Sequence, residues 1–567
     1  MKKKVILLFL LVISLFIFVS CNTNSTNNSG SADSSISSSM PSVASSNSSQ
    51  ASSSTQLHEE AWRQGKTIVG NPIKSVLTDS EINEISALKE SGLDKVNTEN
   101  DYDGFKEIYD KLSDLYYKVS QESTKNEMDF YVYGSNIAMD KYLELNEIRI
   151  DLINWFNEVE HTAYHNSFKA KLFEGMTEEE ILEYIGEDYG DEYFDLSKEL
   201  SRIKTEAESL DSRTIESKFD NLYAQYFKTG NDLAKYLNYD NFMEYAYPNI
   251  YSRDFSIEDT DSFFENVYNY VIPAYLESNS ELKKITKKLT SEETKVFNSI
   301  TKDDIFLGDF ELVEDYVNYI GGIMKEEFDK LFTDGGNYFI SYEKAGYGGA
   351  FENDYRDVDL GIQIPYVYYG PKYHSATTIV HEFGHYLANT QNTSTSLCYD
   401  LAETHSQANE FLFLEYLCQN KNYSENLKKA IMLNQYVDAY HTIIIASAVN
   451  EIEKMLYAKD TYINGDLLST VKEFNKKYPE VSSVYSYLYE YARQVIISSG
   501  SYYISYATSL FGSLYIDSMA KKDFNTAKEA YFKIIENQDG YENSYEYAGL
   551  QNPFTEGAFI YIFGEKN

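Results

Sequence analysis

Residues 378–388 read TIVHEFGHYLA, and in this stretch His381 and His385 stand four residues apart with Glu382 between them. Residues four apart on a helix lie on one face, so the two imidazoles can converge on one metal ion. Glu382 can then reach a water on the open side of that ion and act as a general base. The stretch predicts a helix with a catalytic zinc centre that still needs a third ligand; the alternative is a pair of histidines packed in the core.

The third ligand is expected on the next predicted helix, which reads CYDLAETHSQANEFLFLEYL. Glu403 lies 18 residues after His385, which is enough chain to turn and run a second helix back past the first. Glu403 and Glu410 are seven residues apart and share a face, so one can bind the metal while the other orients a ligand or the substrate. Asp400 and His405 compete with Glu403 for the third position.

Helical periodicity dominates the chain from His58 onward, with apolar residues at three- and four-residue spacing and acidic outer faces. The exception is 338–370, which is rich in Ile, Tyr, Val and Gly. This composition predicts a small β-element just before the metal-binding helix. Such an element either holds an extended peptide as an added strand or only packs the helix.

The N-terminus has the plan of an export signal. Residues 1–21, MKKKVILLFLLVISLFIFVSC, combine a basic start, an apolar stretch and small residues before Cys21. They resemble a bacterial lipoprotein signal with Cys21 as the lipid-carrying residue; an uncleaved membrane span is the alternative. Residues 22–56 are mostly Ser, cannot bury enough apolar surface to fold, and are expected to form a flexible tether. We therefore expect an extracytoplasmic body tethered to the cell membrane.

The composition of the chain limits the classes of partner that it is expected to bind. The chain has 49 basic and 89 acidic residues, a formal charge of −40, which argues against nucleic acid or anionic lipid as the main partner. The acidic surface is either only solvated or includes a cavity that favours basic peptides. The 53 Tyr and 32 Phe against 8 Pro favour long, rarely interrupted elements with aromatic walls. Composition indicates no particular oligomeric state.

Three motifs in order, HEFGH, AETHSQANE and YYISYATS, resemble the zinc peptidases of the thimet oligopeptidase and oligoendopeptidase F family. The resemblance covers about 230–567 and includes GYGGAF, where Gly348 and Gly349 match a Gly-rich strand before the metal helix and become candidates for substrate contact. It implies that Glu403 is the third zinc ligand.

The resemblance also implies a fold and a domain plan. A mainly α, two-lobed helical clamshell is expected, with one zinc ion per chain at the floor of a deep channel that admits short unfolded peptides. Residues 57–230 are then an N-terminal helical lobe, and 231–567 the catalytic region.

The chain departs from the family pattern where a His stands shortly before the Tyr-Ala-Thr motif, because ARQVIISSGSYYISYATS contains none. Tyr506 and Tyr502, four apart on one face of a predicted helix, are then the candidate oxyanion donors. Gly500 leaves room for a mobile turn just ahead of them. His374, seven residues before His381, either contacts substrate or packs the helix.

The favoured interpretation is a membrane-tethered zinc endopeptidase for oligopeptides, with Glu382 as general base. The alternative is a catalytically weak or inactive peptide-binding lipoprotein on the same scaffold. The missing His favours the alternative, and Glu382 opposes it, since a pure binder needs no base. A secreted protease for large proteins is disfavoured if the channel is deep.

Overall fold

The structure is a computed structural model. It describes residues 67–185, 190–208, 210, 216–302, 309–333, 336–341, 347–371, 373, 375–392, 398–459 and 461–565. The predicted signal with Cys21, the Ser-rich tether and His374 lie outside these residues.

The first helices build a core of their own. They are α1 (Asp79–Thr98), α2 (Tyr102–Tyr133), α3 (Asn136–Tyr164), α4 (Lys169–Leu172) and α5 (Glu178–Ile185). Helix α1 begins at a capping box in which Thr78 and Glu81 satisfy each other's backbone amides. Helices α1 to α3 pack around the nearly fully buried Trp155, whose indole N–H donates to the Lys89 carbonyl at 3.0 Å. This N-terminal core excludes the residues of the predicted metal helix.

A second, larger core extends over the rest of the chain. Its α-helices are α6 (Gly190–Glu208), α7 (Glu216–Tyr236), α8 (Phe242–Asn249), α9 (Asp259–Asn266), α10 (Ile272–Ile285), α11 (Ser291–Thr301), α12 (Asp309–Ile320), α13 (Gly322–Phe328), α14 (Ala376–Gln391), α15 (Tyr399–Asn420), α16 (Glu425–Tyr457), α17 (Asp466–Lys477), α18 (Pro479–Val484), α19 (Leu488–Ser498), α20 (Ile504–Ala520), α21 (Phe524–Glu536), α22 (Tyr541–Ala548) and α23 (Glu556–Phe563). Short π-helical segments cover Val267–Val271 and Asp329–Thr333, and a 3-10 turn covers Thr286–Lys288. Apolar residues of α6 and α7 already belong to this core. The domain division at residue 230 stays a prediction, while the cores themselves separate between α5 and α6.

The predicted β-element is a four-stranded sheet. Its strands are β1 (Ile68–Val69), β2 (Tyr338–Ile340), β3 (Ala350–Asp357) and β4 (Ile362–Tyr369), in the order β1-β2-β4-β3. Strand β2 runs parallel to β4, whereas β3 and β4 form an antiparallel hairpin with Ala350 opposite Tyr369. Gly361 closes the hairpin at a φ of +69°, in the left-handed region that glycine adopts without strain.

The sheet lies between the two cores. Tyr355, Tyr366 and Tyr368 pack with Met128 of α2 in a small apolar cluster. On the side of the metal helix, the Tyr369 hydroxyl donates to the Ile379 carbonyl of α14 at 3.2 Å. The sheet therefore positions α14 relative to the N-terminal helices.

The predicted fold class is confirmed: the protein is mainly α, a two-lobed helical clamshell with a small β-element beside the metal-binding helix. In the part of the chain that the structure describes, no helix is both long and apolar enough to cross a membrane.

Candidate metal centre

Helix α14 carries the His-Glu-x-x-His group and starts where the sequence predicts. Ser375 is its N-cap, and its hydroxyl accepts the Thr378 amide at 3.2 Å. One donor atom from each of His381, Glu382 and His385 lies within 4.8 Å of the others, a group that could hold a metal ion. Helical spacing alone brings these side chains together.

A close approach of two helices brings in the acidic partner. A Cβ at position 384 would lie 2.6 Å from the His405 carbonyl oxygen, so only glycine lets α15 pack this tightly on α14. The Asn409 side-chain amide donates to the Val380 carbonyl at 2.9 Å and holds the two helices in register. Gly384 of the HEFGH motif thus serves helix packing.

Glu403 of α15 lies beside both imidazoles. Its Oε2 is 3.5 Å from His381 Nε2 and 3.9 Å from His385 Nε2. Two ligand atoms on a tetrahedral zinc ion, each about 2.0–2.1 Å from the metal, are about 3.3 Å apart. The donor set of two imidazole nitrogens and one carboxylate oxygen therefore fits a catalytic zinc ion in both chemistry and spacing.

The outer nitrogen of His381 is held by Glu410. His381 Nδ1 lies 2.6 Å from Glu410 Oε1, and the Gln435 amide donates to Glu410 Oε2 at 3.0 Å. With the ring proton on Nδ1 facing the carboxylate, the Nε2 lone pair points toward Glu403. Carboxylates in this position orient a ligating histidine and raise its basicity.

Burial sets the protonation of the site. It lowers the pKa of His385 to about 3, so the imidazole is neutral and can offer a lone pair to a metal. Burial, together with the neighbouring carboxylates Glu403 and Glu410, raises the pKa of Glu382 to about 8.

Asp400 and His405, which compete with Glu403 for the third ligand position, make other contacts. Asp400 is fully buried and pairs with the Arg253 guanidinium, Nε to Oδ2 at 3.0 Å. His405 is buried outside the metal group, and its Nε2 has no hydrogen-bond partner among the described residues. Burial lowers the pKa of His405 to about 3. The distances thus favour Glu403 over both.

The predicted Gly-rich strand leads into β3. The Gly349 carbonyl accepts the Gly370 amide at 2.8 Å, and Gly348 is exposed just before it. Further along the strand, the Glu352 backbone amide donates to the Glu382 carboxylate. Within the described residues β3 is an edge strand, so the outer edge of the sheet lies against the proposed base.

The two tyrosines differ from the prediction in one respect. Tyr506 lies on α20, but Tyr502 lies in the turn before it, because Ser501 has a φ of +64° and the helix begins only at Ile504. The two rings are nevertheless 5.4 Å apart and partly exposed. Helix α20 packs along α15, where the Thr404 hydroxyl donates to the Ser509 carbonyl at 2.9 Å.

Sequence reasoning missed two buried charged residues near this turn, Arg253 and Glu453. Arg253 bonds Asp400 and the carbonyl of Ser501, and Glu453 accepts the Ser501 amide. The available signal was weak: a basic residue between aromatic residues, such as Arg253 between Tyr251 and Phe255 in NIYSRDF.

The comparisons with known proteins find the fold rather than a sequence relative. No family model and no curated protein matches the chain. A structure assigned to oligoendopeptidase F from Bacillus anthracis str. Ames matches with a TM-score of 0.58 and 15% identity over 86% of this chain and 95% of its own. PZ peptidase A, solved with an inhibitor, matches with a TM-score of 0.60 and 13% identity over 87% and 97% of the two chains. Another structure assigned to oligoendopeptidase F gives 0.60 and 14% over 87% and 96%. At such identities the likeness shows a shared fold.

Proposed function

We propose that this chain is a zinc-dependent endopeptidase that hydrolyses short, unstructured oligopeptides. The observation that carries the proposal is the position of Glu403 Oε2 within 3.9 Å of both histidine Nε2 atoms, with Glu382 beside them. The fold shared with oligoendopeptidase F and PZ peptidase A structures supports the same activity.

His381, His385 and Glu403 would hold one zinc ion per chain. When bound there, zinc supplies Lewis acidity toward a water molecule and the scissile carbonyl. Glu382 takes a proton from the attacking water and delivers it to the leaving amine. The Glu382 carboxyl must be ionised to take the proton from water. A positive charge held by the neighbouring ligands lowers the pKa of this carboxyl below the value that burial imposes.

Tyr506 and Tyr502 are the proposed donors to the oxyanion. Their phenols take the place of the His that the related motif carries and this chain lacks. Tyr506 lies on α20, the helix that packs on α15, Tyr502 lies in the turn before it, and both side chains are partly exposed. Donors in place before the reaction stabilise the charge that develops on that oxygen.

The edge of β3 is the proposed place for the peptide backbone. An extended peptide can add to a free strand edge through main-chain hydrogen bonds, and this edge already meets Glu382 through the Glu352 amide. Gly348 and Gly349 at the start of the strand allow close approach. Burial raises the pKa of Glu352 and of Asp354 on the same strand, and a basic peptide side chain beside them would favour their ionised forms.

From the signal-like N-terminal sequence we propose that this activity lies outside the cytoplasm. A lipid on Cys21 and the tether 22–56 would hold the enzyme at the membrane of a bacterial cell, with 57–230 as a lobe over the catalytic region 231–567.

The test uses the full chain and a mixed pool of short quenched peptides, beside the Glu382→Gln variant. The proposed activity is supported if only the unsubstituted chain cleaves, if a chelator abolishes cleavage and if zinc restores it. The loss on substitution is expected to be about 100- to 10,000-fold.

The missing His is the single observation behind a second candidate, a peptide-binding lipoprotein without turnover. It predicts that both proteins bind one zinc per chain and retain peptides, while neither cleaves them. Digestion of casein would instead point to a protease for large substrates.

A further inference from the structure

Residues 499–503, called here the tyrosine turn, connect α19 to α20 and carry Tyr502. The Gly500 carbonyl accepts the Tyr251 hydroxyl at 2.7 Å. The Ser501 amide donates to both carboxylate oxygens of Glu453 at 2.9 Å. The backbone of this turn is therefore bound by side chains from other parts of the fold rather than left to solvent.

Arg253 holds the same turn from a second side. Its guanidinium donates to the Ser501 carbonyl at 2.7 Å and to the Ser505 hydroxyl at 2.8 Å. The group is fully buried and lies over the rings of Tyr247 and Tyr251, 4.3 and 4.7 Å from their centroids. A planar guanidinium can make several such bonds at fixed angles, which a lysine cannot reproduce.

The same guanidinium also reaches the metal-ligand helix. Its Nε donates to Asp400 Oδ2 at 3.0 Å, and Asp400 lies in the first turn of α15, three residues before Glu403. The other carboxylate oxygen accepts the Thr508 hydroxyl of α20 at 2.9 Å. Arg253 thus connects the helix of the third ligand with the turn and helix of the two tyrosines.

The turn has a conformation that needs such support. Ser501 has a φ of +64°, a left-handed backbone that non-glycine residues adopt at a cost. At Gly500 there is no room for a side chain, since a Cβ would lie 2.0 Å from the Tyr226 hydroxyl. These contacts favour a fixed turn over the mobile one that Gly500 suggests in the sequence.

We propose that Arg253 and Glu453 are positioning residues that fix the tyrosine turn, and through it Tyr502 and Tyr506, against the metal-ligand helix. The catalytic meaning of this proposal rests on the proposed peptidase function; the fixing of the turn does not. Oxyanion donors act only at hydrogen-bond distance, so a small displacement of the turn lowers turnover without changing the ligands of the metal.

The first test measures the turn directly, by hydrogen exchange of the full chain. Arg253→Lys and Glu453→Gln are expected to speed amide exchange in peptides covering 499–506 by about 10-fold or more, with exchange elsewhere unchanged. Arg149→Lys, a matched change beside Glu127 in the N-terminal core, is expected to leave these peptides unaffected. Unchanged exchange at 499–506 in both test variants would overturn the proposal.

The second test separates positioning from general stability. Arg253→Lys is expected to lower kcat about 10- to 100-fold with KM and zinc content nearly unchanged. Combined with both Tyr502→Phe and Tyr506→Phe, it is expected to add little to the loss that these two substitutions cause together, because Arg253 acts through these two donors. A further loss of the same size in the combined variant would show that Arg253 acts elsewhere.

The two proposals fail in different ways. If the unsubstituted chain cleaves no peptide, the peptidase proposal fails, and the exchange measurement alone decides whether the turn is fixed. If it cleaves and Arg253→Lys cleaves equally fast, the positioning proposal fails and the peptidase stands. Should Arg253→Lys not fold, Glu453→Gln and Ser505→Ala, which each remove fewer contacts, carry the same two tests.

Discussion

The candidate site residues of α14 lie within five consecutive positions of the chain. The tyrosine turn, in contrast, is held by side chains that lie between 48 and 249 residues away in the sequence. In the first region one helical turn is enough to aim His381 and His385 at the same point. In the second, Glu453, Tyr251 and Arg253 each bind a different backbone group.

The two regions differ in the substitutions that each of them tolerates. A helix with correct capping and spacing presents its ligands whatever the distant fold does, so the metal centre depends mainly on α14 and the close packing of α15. The turn depends on buried charged side chains. Because water does not reach these side chains, a contact that they lose is not replaced by a hydrogen bond to water. We therefore expect substitutions in the metal centre to change metal binding, and substitutions around the turn to change turnover.

The largest effect is expected at the one ligand that does not lie on α14. Glu403→Gln should weaken zinc binding more than about 100-fold and abolish peptide cleavage, because a neutral amide is a poorer zinc ligand than a carboxylate. His405→Gln, two residues away on the same helix, should retain one zinc per chain. Chelator competition followed by metal analysis measures both. Zinc loss in His405→Gln and retention in Glu403→Gln would reverse the assignment.

A smaller effect, without loss of metal, is expected at the tyrosines. Tyr506→Phe should lower kcat about 100-fold while zinc content and KM stay nearly unchanged, because the proposed role of its hydroxyl is to stabilise the developing oxyanion. Tyr502→Phe tests the second donor in the same assay. Tyr515→Phe, a buried tyrosine further along α20, is the control and should be nearly silent. Equal, minor losses in all three variants would remove the tyrosines from the mechanism.

The smallest effect is on stability and depends on pH. Burial raises the pKa of Glu382 from 4.5 to about 8, so between these values the folded chain binds more protons than the unfolded chain and its stability falls as pH rises. Metal-free Glu382→Gln should thus be more stable than the unsubstituted chain near pH 8.5, by on the order of 5 kcal/mol, and the gain should vanish below about pH 4.5.

Urea unfolding of the two metal-free proteins at several pH values measures this difference. With zinc present the gain should shrink, since a nearby cation favours the ionised carboxylate. A gain that is constant across pH would mean that the glutamate carboxylate is not the cause.

Much of the fold and of the metal centre could be predicted from local patterns. Three- and four-residue apolar spacing indicated the helices, and β-branched and aromatic composition indicated the sheet at 338–370. Glu403 lay on the predicted facing helix, although spacing alone left Asp400 and His405 open. The choice among them needed the distances across the two helices.

The predicted helical position of Tyr502 is wrong, because helical spacing continues in the sequence while the helical backbone begins only at Ile504. Tyr502 and Tyr506 are four apart, but the left-handed conformation of Ser501 delays the start of α20. That conformation exists because Glu453 and Arg253 bind the turn, and neither residue is near it in the chain. Periodicity carries no information about such partners.

What the sequence by itself determined is the part that follows from helical geometry: an α-rich chain, a capped helix with His381, Glu382 and His385 on neighbouring positions, and a short sheet before it. Tertiary structure decided which acid on α15 faces the histidines, because Gly384 sets how closely the helices approach. It also decided how the tyrosines are held. Spacing along a helix is local, whereas the satisfaction of buried charges such as Arg253 and Glu453 depends on which distant groups the fold brings to them.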